Sequence, residues 1–505
     1  MIRESGTPNL SVSANLPVEP NLSPEPILAA LESYRGTIVD LDHSLAVSSA
    51  SLVKASQEIG DQLIGHGLRP GDRVVTAVGN GPLFVATLAG ILTAGGAPLL
   101  VHAATPPTEL KRTAMRFGAH FVVRDQWDAA DASAAHDEVQ AIVGSEIWVR
   151  LFDLEIDRNA PEFVDEYPVL PGVPLHPTSG TTGQPKVALR PGERAIAEAQ
   201  HYIDTIGVDH SDTLLCVAPM SHAYAYGMCV MVPLLSGASV VTMRRFSSPL
   251  VFSAFQQHDV TILPAVPAML DVLMFGAGKR LQHATKTVLT AGSPLPERTA
   301  ERFQKASGIT VRPLYGTTET GGISVADATA CEFGTAVGRP MHGVETDVAT
   351  DDRTDGLGDG IGRLQIRSSS MMVGYLGSGG IDTSPIKDGW FDTGDLSLLG
   401  ADGVIHLKGR ETEVINVAGM KVVPSEVEEV IAKLPGVNEV KVYPGVQPSG
   451  SQFVKAAVAA PQLDAEAIRA HCERELVYFK RPHPILFVDS LPRSPAGKIL
   501  RDQLP

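Results

Sequence analysis

Between Pro177 and Lys186 the chain reads PTSGTTGQPK. Gly180 and Gly183 let the backbone turn tightly and bring N–H groups to a phosphate, while Thr178, Ser179, Thr181 and Thr182 add hydroxyl donors and Lys186 a cation. This is a phosphate-binding loop by composition. It is not the P-loop of the Walker type, because no Gly-Lys-Ser/Thr closes it. A second segment, YGTTET at Tyr315–Thr320, sets an aromatic face and a single carboxylate beside more hydroxyls. Tyr315 suits stacking on a purine, and Glu319 suits magnesium, which takes one or two carboxylates together with phosphate oxygens. A third, WFDTGD at Trp390–Asp395, ends in a carboxylate able to accept both hydroxyl protons of a ribose. Two more follow: GRETEVINVAGMKVVPSEVE from Gly409, with Arg410 at a change of texture, and LPRSPAGKILR from Leu491, with Lys498 in a Gly-flanked loop. Taken singly, each reads equally as a solvated turn, a surface arginine or a tail lysine.

These segments need a scaffold. From about Pro26 to Ala330 short apolar runs alternate with helical patterns, which predicts stacked βα units around parallel sheets. Leu52, Ala55, Ile59 and Leu63 recur at helical spacing, Gly67 and Pro70-Gly71-Asp72 end that helix, and Val74–Val78 reads as a strand. The next helix is expected to start at Pro82. Between about Gly334 and His406 short strand-like pieces rich in Gly and Asp suggest a small β-barrel or sheet closing the large domain. After Gly409 a compact α/β unit begins. Ser425 and Glu428 are expected to form a capping box ahead of Val427, Val430, Ile431 and Leu434; Phe453–Ala460 and Ile485–Val488 read as strands, with a helix from about Asp464 to Tyr478 between them. The expected division is a disordered tail over 1–25, a large domain over 26–409 and a small domain over 410–505. At 505 residues, two or more cores are anticipated.

In order and spacing these segments resemble the adenylate-forming superfamily of acyl- and aryl-CoA synthetases, peptide-synthetase adenylation domains and luciferase, and the pattern is closest to the acyl-CoA synthetases. The resemblance covers roughly residues 30–505 and takes in GLRPGDRV (Gly67–Val74), PMSHAYAYG (Pro219–Gly227) and LTAGSPLP (Leu289–Pro296). It implies an α/β fold: a large N-terminal domain of two stacked αβα-type sheets plus a small β-barrel, then a small mobile α/β C-terminal domain. The implied chemistry is activation of a carboxylic acid by ATP and Mg2+ to acyl-AMP, then transfer to coenzyme A. Under that resemblance Thr178–Lys186 cradle the β- and γ-phosphates, Gly292, Ser293, Pro294, Tyr315, Gly316 and Thr317 border the adenine, Thr318 meets the α-phosphate and Glu319 the metal. Asp395 and Arg410 hold the ribose, and Lys498 bridges the carboxylate and the α-phosphate. Gly419 lines the pantetheine tunnel, and Thr412 stands at the interdomain pivot, where Asp or Lys is usual. A carboxylate attacking a phosphate anion needs positioning and positive charge rather than a base, since the acid is already ionised at neutral pH.

Members that activate α-amino acids place an aspartate in the segment matching Cys216–Leu235. Here that segment has no acidic residue, so a plain carboxylic acid is expected. His222 resembles the histidine set beside the substrate carboxylate; an ordinary core histidine is the alternative. His222, Ala223, Tyr224, Gly227, Gly292, Gly321 and Gly322 are expected at the substrate pocket, and their small neighbours point to a bulky, apolar or aromatic acid. Close backbone packing is the alternative reading. The acceptor is coenzyme A or a phosphopantetheinyl carrier, with a carrier protein or downstream transferase as possible partner in an adenylation-only variant.

The bulk numbers narrow the classes. With 41 Lys plus Arg against 57 Asp plus Glu, the charge of -16 opposes nucleic acid and anionic lipid. Cys216, Cys229, Cys331 and Cys472 are scattered without metal spacing, which fits reduced thiols and a cytoplasmic setting. The first residues lack the apolar core of a secretory signal. Cys216–Leu235, the most apolar long stretch, is broken by Pro219, Ser221, His222 and Pro233, so no membrane span is expected.

Overall fold

The computed structural model describes residues 21–119, 121–125, 149–152, 167–178, 186–274, 285–328, 333–351, 354–377, 379–417, 420–446, 452–476, 478–493 and 499–505, with backbone alone at 149–152, 416, 421 and 502. Ser179, Gly180, Thr181, Thr182, Gly183, Cys331, Gly419 and Lys498 lie outside the described residues.

Two large sheets carry the N-terminal domain. In one of nine strands, Thr213–Cys216, Ser239–Thr242, Ile262–Ala265, Thr287–Thr290 and Val311–Thr317 pair in parallel, and Gly321–Val325 turns back antiparallel. In the other, of eight, Arg73–Ala77, Ala97–Leu100, Phe121–Asp125 and Leu175–Thr178 are parallel, while Lys186–Leu189 and Gly374–Gly377 extend one edge antiparallel. The strands are buried apolar runs rather than alternating ones, as parallel strands covered on both faces must be.

Helix Pro82–Thr93 is buried at every position but its last. A helix apolar all round has no solvent face, so it belongs to the interior. Its partner Ser49–Gly65 shows the predicted stripe of Leu52, Ala55, Ile59 and Leu63, and Ser48 Oγ accepts from Ser51 N at its start. The two helices cross closely at glycine. A Cβ at Gly90 would stand 2.7 Å from Ser56 O.

The Gly/Asp-rich region forms a five-stranded antiparallel sheet built on Val344–Ala349, Gly362–Ser368, Trp390–Leu399 and Ile405–Arg410. Beyond it Ile415, Val422, Val427, Ile431, Val442, Val454 and Ile468 form a separate core for the small domain. There Glu439–Val446 pairs antiparallel with Gln452–Ala459, and Ile485–Phe487 adds in parallel.

Two local expectations fail. Residues 21–25 are not tail: Leu22 packs on a core, Asn21 donates to Glu193, and a helix starts at Glu25. The capping box at Ser425 and Glu428 does not form. The helix there is Pro424–Ala432 with Val423 at its N-cap. Ser425 Oγ donates to Lys408 O, and Glu428 accepts from Val442 N and pairs with Lys441. Tertiary partners took both side chains from the local motif. The later helix, Ala465–Glu475, is capped by Asp464, whose carboxylate accepts from Ala467 N.

Candidate active site

Strand Val311–Thr317 ends at the residues expected beside a nucleotide. Its register with Gly321–Val325 shifts between Tyr315 and Gly316. Gly316 makes that possible, since a Cβ there would lie 2.4 Å from Gly321 O, and Gly321 itself holds φ +74. The resulting turn carries Thr318 and Glu319, and Thr317 and Thr320 share a hydroxyl hydrogen bond of 3.0 Å. Gly292, Ser293 and Pro294 follow the adjacent parallel strand Thr287–Thr290. Both segments therefore sit at carboxyl ends of neighbouring parallel strands, where open α/β sheets bind ligands.

Three groups meet beside that turn. Tyr375, on Gly374–Gly377, donates its hydroxyl to Glu319 Oε1 at 2.7 Å. Lys186 Nζ lies 4.8 Å from the Tyr375 ring centroid, a cation–π distance. Thr178 pairs with Lys186 across the two strands on either side of residues 179–185. Burial, then the charge of Glu319, raises the Tyr375 pKa, so the phenol stays a donor. A carboxylate beside threonine hydroxyls is a hard oxygen donor set of the kind magnesium uses along with phosphate oxygens. Among the described residues no cluster of three or more metal-ligating side chains occurs, so such an ion would lean on the phosphates.

Asp395 sits opposite Arg410 in the antiparallel pair Trp390–Leu399 and Ile405–Arg410. Its Oδ1 meets Arg410 Nε at 2.6 Å, and Oδ2 accepts from Tyr315 at 2.5 Å. Burial raises the Asp395 pKa and Arg410 pulls it part of the way back. The adenine-side and ribose-side candidates are thus joined by one hydrogen bond. After Arg410 a single 3-10 turn, Glu411–Glu413, leads into the small domain. Thr412 is exposed in that turn. Glu411 lies 4.0 Å from Arg363 of the large domain, whereas Glu413 pairs with Arg501 near the chain end. Arg493 and Ile499, on either side of residues 494–498, form an antiparallel bridge.

A cavity of about 180 Å3 opens between the two sheets. His102, His176, Pro177, His222, Ala223 and Thr318 line it, with no charged side chain among its described lining residues. The His102 and His222 rings stand 6.2 Å apart. His222 is open to solvent by surface area yet crowded by neighbouring atoms, and that crowding, then His102, lowers its pKa. Tyr224 lies on the short helix Ala223–Tyr226, and among the described residues its buried hydroxyl has no hydrogen-bond partner.

The glycines expected to leave room for the acid do something else. A Cβ at Gly227 or Gly321 would lie within 2.7 Å of the Glu198 carboxylate, and one at Gly322 within 2.7 Å of Tyr202. They are small because Glu198, Arg190 and Tyr202 fill that space. Arg190 Nη2 donates to Glu198 Oε2 at 2.5 Å, and Gly322 N donates to Oε1 at 3.2 Å. Arg190 and Glu198 are 0% and 1% exposed. The Gly292 Cβ direction faces Val266, away from the cavity lining.

Sequence reasoning missed His176, Arg190, Glu198 and Tyr375. For Glu198 there was a signal: on helix Gly192–Ile206 it falls on the stripe of Ala195, Ala199 and Tyr202, all buried. Arg190 likewise follows directly on the buried run Val187–Leu189. Tyr375 carried only its flanking glycines.

Residues 34–376 match the AMP-binding enzyme family and residues 426–498 the AMP-binding enzyme C-terminal domain. The chain is 28% identical over 468 residues to 4-coumarate–CoA ligase 1 of Oryza sativa subsp. japonica, covering 87% of this chain and 83% of that one. It is 25% identical to a propanoyl:CoA ligase of Rhodococcus jostii whose acyl group bears a methyl-dioxo-octahydroindenyl system, over 96% of this chain and 98% of that protein. The o-succinylbenzoate CoA synthetase of Bacillus subtilis, solved with ATP and a magnesium ion, shares the fold at TM-score 0.77 and 23% identity, covering 95% of this chain and 99% of that one.

Proposed function

Because this chain belongs to the AMP-binding enzyme family, we propose that it uses ATP to activate a carboxylic acid other than an α-amino acid as acyl-AMP, releasing pyrophosphate, and then passes the acyl group to coenzyme A. The observation that carries this reading is the meeting of Lys186, Tyr375 and Glu319 beside a cavity bounded by Thr318 and His222. Thr178 and Lys186 flank the phosphates. Thr318 faces the α-phosphate, Tyr315 and Gly292–Pro294 border the base, and Asp395 with Arg410 takes the ribose hydroxyls once Tyr315 yields its hydrogen bond. Glu319 holds magnesium, which neutralises phosphate charge when bound. His222, kept neutral, donates to the acid. Lys498, brought by the small domain, stabilises charge on the transferring phosphorus.

Supporting the acid class is a cavity wall that, among the described residues, carries no carboxylate to pair with an ammonium group. At about 180 Å3 the cavity is smaller than the roughly 300–1,000 Å3 of common ligand pockets, which favours a compact aryl or cyclic acid over a polycyclic one. The relative named for 4-coumarate is in line with that, whereas the one named for a fused-ring dioxo-acid takes a larger acyl group. The test is acid-dependent ATP–pyrophosphate exchange over a panel of aryl, cyclic and short-chain acids with their α-amino counterparts. Exchange with aryl or cyclic acids is expected. Robust exchange with leucine or phenylalanine overturns the acid class.

A further inference from the structure

A second imidazole shares the cavity wall with His222 and Thr318. His102 is half-buried and lies two residues past the carboxyl end of the parallel strand Ala97–Leu100, the end at which open α/β sheets present groups to ligands.

A tight turn fixes its ring. The backbone N–H and the hydroxyl of Thr105 both donate to His102 O, at 2.9 and 2.6 Å, and Ala104 N donates to His102 Nδ1 at 3.1 Å. A backbone N–H can only donate, so Nδ1 brings the lone pair and the proton of the neutral ring stands on Nε2. Among the described residues nothing engages that Nε2–H. Unlike the nitrogens of His176, Nε2 is not among the unpartnered polar atoms sealed from solvent. His102 therefore offers an unengaged donor of settled tautomer on a ring that lines the cavity. Burial lowers its pKa, and burial followed by His102 lowers that of His222, so both rings are donors without charge.

The spacing suits a carboxylate. The two ring centroids are 6.2 Å apart, with the planes inclined at 51°, and among the described residues the rings share no hydrogen bond. An oxygen about 2.9 Å from a ring nitrogen lies roughly 4 Å from that ring's centre, so one carboxylate can accept from both rings across this gap. Thr318, which the ligase reading sets beside the α-phosphate, lines the same cavity, so a group received between the two rings is the reacting end of the acid.

We propose that His102 is a second binding residue for the substrate carboxylate, donating from Nε2 while His222 donates from the other ring. The inference rests on the ligase reading and adds a residue to its acid site. No proton moves in the step itself: one carboxylate oxygen bonds to the α-phosphorus, the bond from that phosphorus to pyrophosphate breaks, and the other oxygen becomes the carbonyl of the mixed anhydride. The carboxylate loses its charge on the way, so a hydrogen bond to it is stronger before the step than after it. Removing the donor should weaken acid binding and leave kcat standing.

The experiment measures KM for the acid, KM for ATP, kcat and Tm in wild type, His102→Asn and His102→Leu, by pyrophosphate exchange with 4-coumarate, benzoate and cyclohexanecarboxylate. Asparagine keeps the turn, because its side-chain oxygen accepts from the N–H two residues on, but its amide is too short to reach where Nε2 stood. Leucine keeps neither. Both variants are expected to raise KM for the acid about tenfold or more, the scale of a hydrogen bond to a charged group, with kcat and KM for ATP within about twofold of wild type. Only leucine should lower Tm. A wild-type KM for the acid in His102→Asn would confine the ring to holding the turn and overturn the inference, as would a fall in kcat at unchanged KM; the ligase reading stands in either case. Absence of acid-dependent exchange in wild type with all three acids overturns the reading of a compact-acid ligase and the inference with it.

Discussion

Replacing Glu198 with alanine tests the buried pair directly. Arg190 and Glu198 are both at most 1% exposed, so solvent screens neither. Glu198→Ala removes the partner of Arg190 Nη2 and the acceptor of Gly322 N together, leaving a guanidinium with no counter-charge in the interior. Breaking a buried pair from one side costs about 3–5 kcal/mol. With unfolding entropy near 2.1 cal/mol/K per residue, a large domain of roughly 380 residues loses about 4–6 °C in Tm for that cost. The double variant Arg190→Met/Glu198→Leu removes both charges and should recover most of the loss, since replacing a buried pair by apolar side chains is often neutral. The assay is differential scanning calorimetry at one scan rate for wild type, the two single variants and the double. A Glu198→Ala shift below about 1 °C, or a double variant worse than both singles, would refute the picture of a dry, mutually dependent pair.

The remaining predictions concern pH, the lysine and the pivot. His176 has its folded pKa lowered from the ordinary 6.5 to about 3, so the unfolded chain binds the extra proton first; stability is present above about pH 6.5 and is lost as pH falls towards 3. The Tm–pH curve of His176→Phe should therefore be flatter than wild type between pH 6 and 4, and a parallel pair of curves would contradict the buried neutral ring. Lys498→Ala should lower the adenylation rate by roughly two to three orders of magnitude with little change in ATP affinity; a rate within about threefold of wild type, under 1 kcal/mol, would remove Lys498 from the transition state. At the junction Glu411 lies near Arg363 and Glu413 pairs with Arg501, on either side of Thr412; if Thr412 is the pivot of a domain rotation, its β-branched side chain would resist the change. Single-turnover kinetics should show acyl-AMP accumulating before transfer, and Thr412→Asp should speed transfer; equal rates in wild type with no effect of the substitution would dismiss the hinge argument.

Legibility in the sequence followed the range of the interaction. Helix Ser49–Gly65 and its stripe could be read from spacing because every determinant lies within one element. The same holds for two of the small domain's strands, Gln452–Ala459 and Ile485–Phe487, whereas its strand Glu439–Val446 was not read from the sequence. The capping box at Ser425 was misread because Lys408 O and Val442 N lie 17 and 14 residues from the side chains they engage. The link from Tyr315 to Asp395 spans 80 residues and that from Glu198 to Gly322 spans 124, so no local pattern announces either. Glycines at 227, 321 and 322 looked like empty pocket for the same reason. What they make room for is a buried ion pair from another helix and strand.

The most direct test of the account is a single-turnover reaction with ATP labelled in the adenosine moiety, an acid that supports exchange, and coenzyme A added after the first step has run. The account predicts acid-dependent acyl-AMP, then conversion to acyl-CoA with one AMP per thioester. Formation of ADP would contradict the adenylate chemistry. Acyl-AMP that persists in the presence of coenzyme A, yet discharges onto a phosphopantetheinyl carrier protein, would contradict the acceptor.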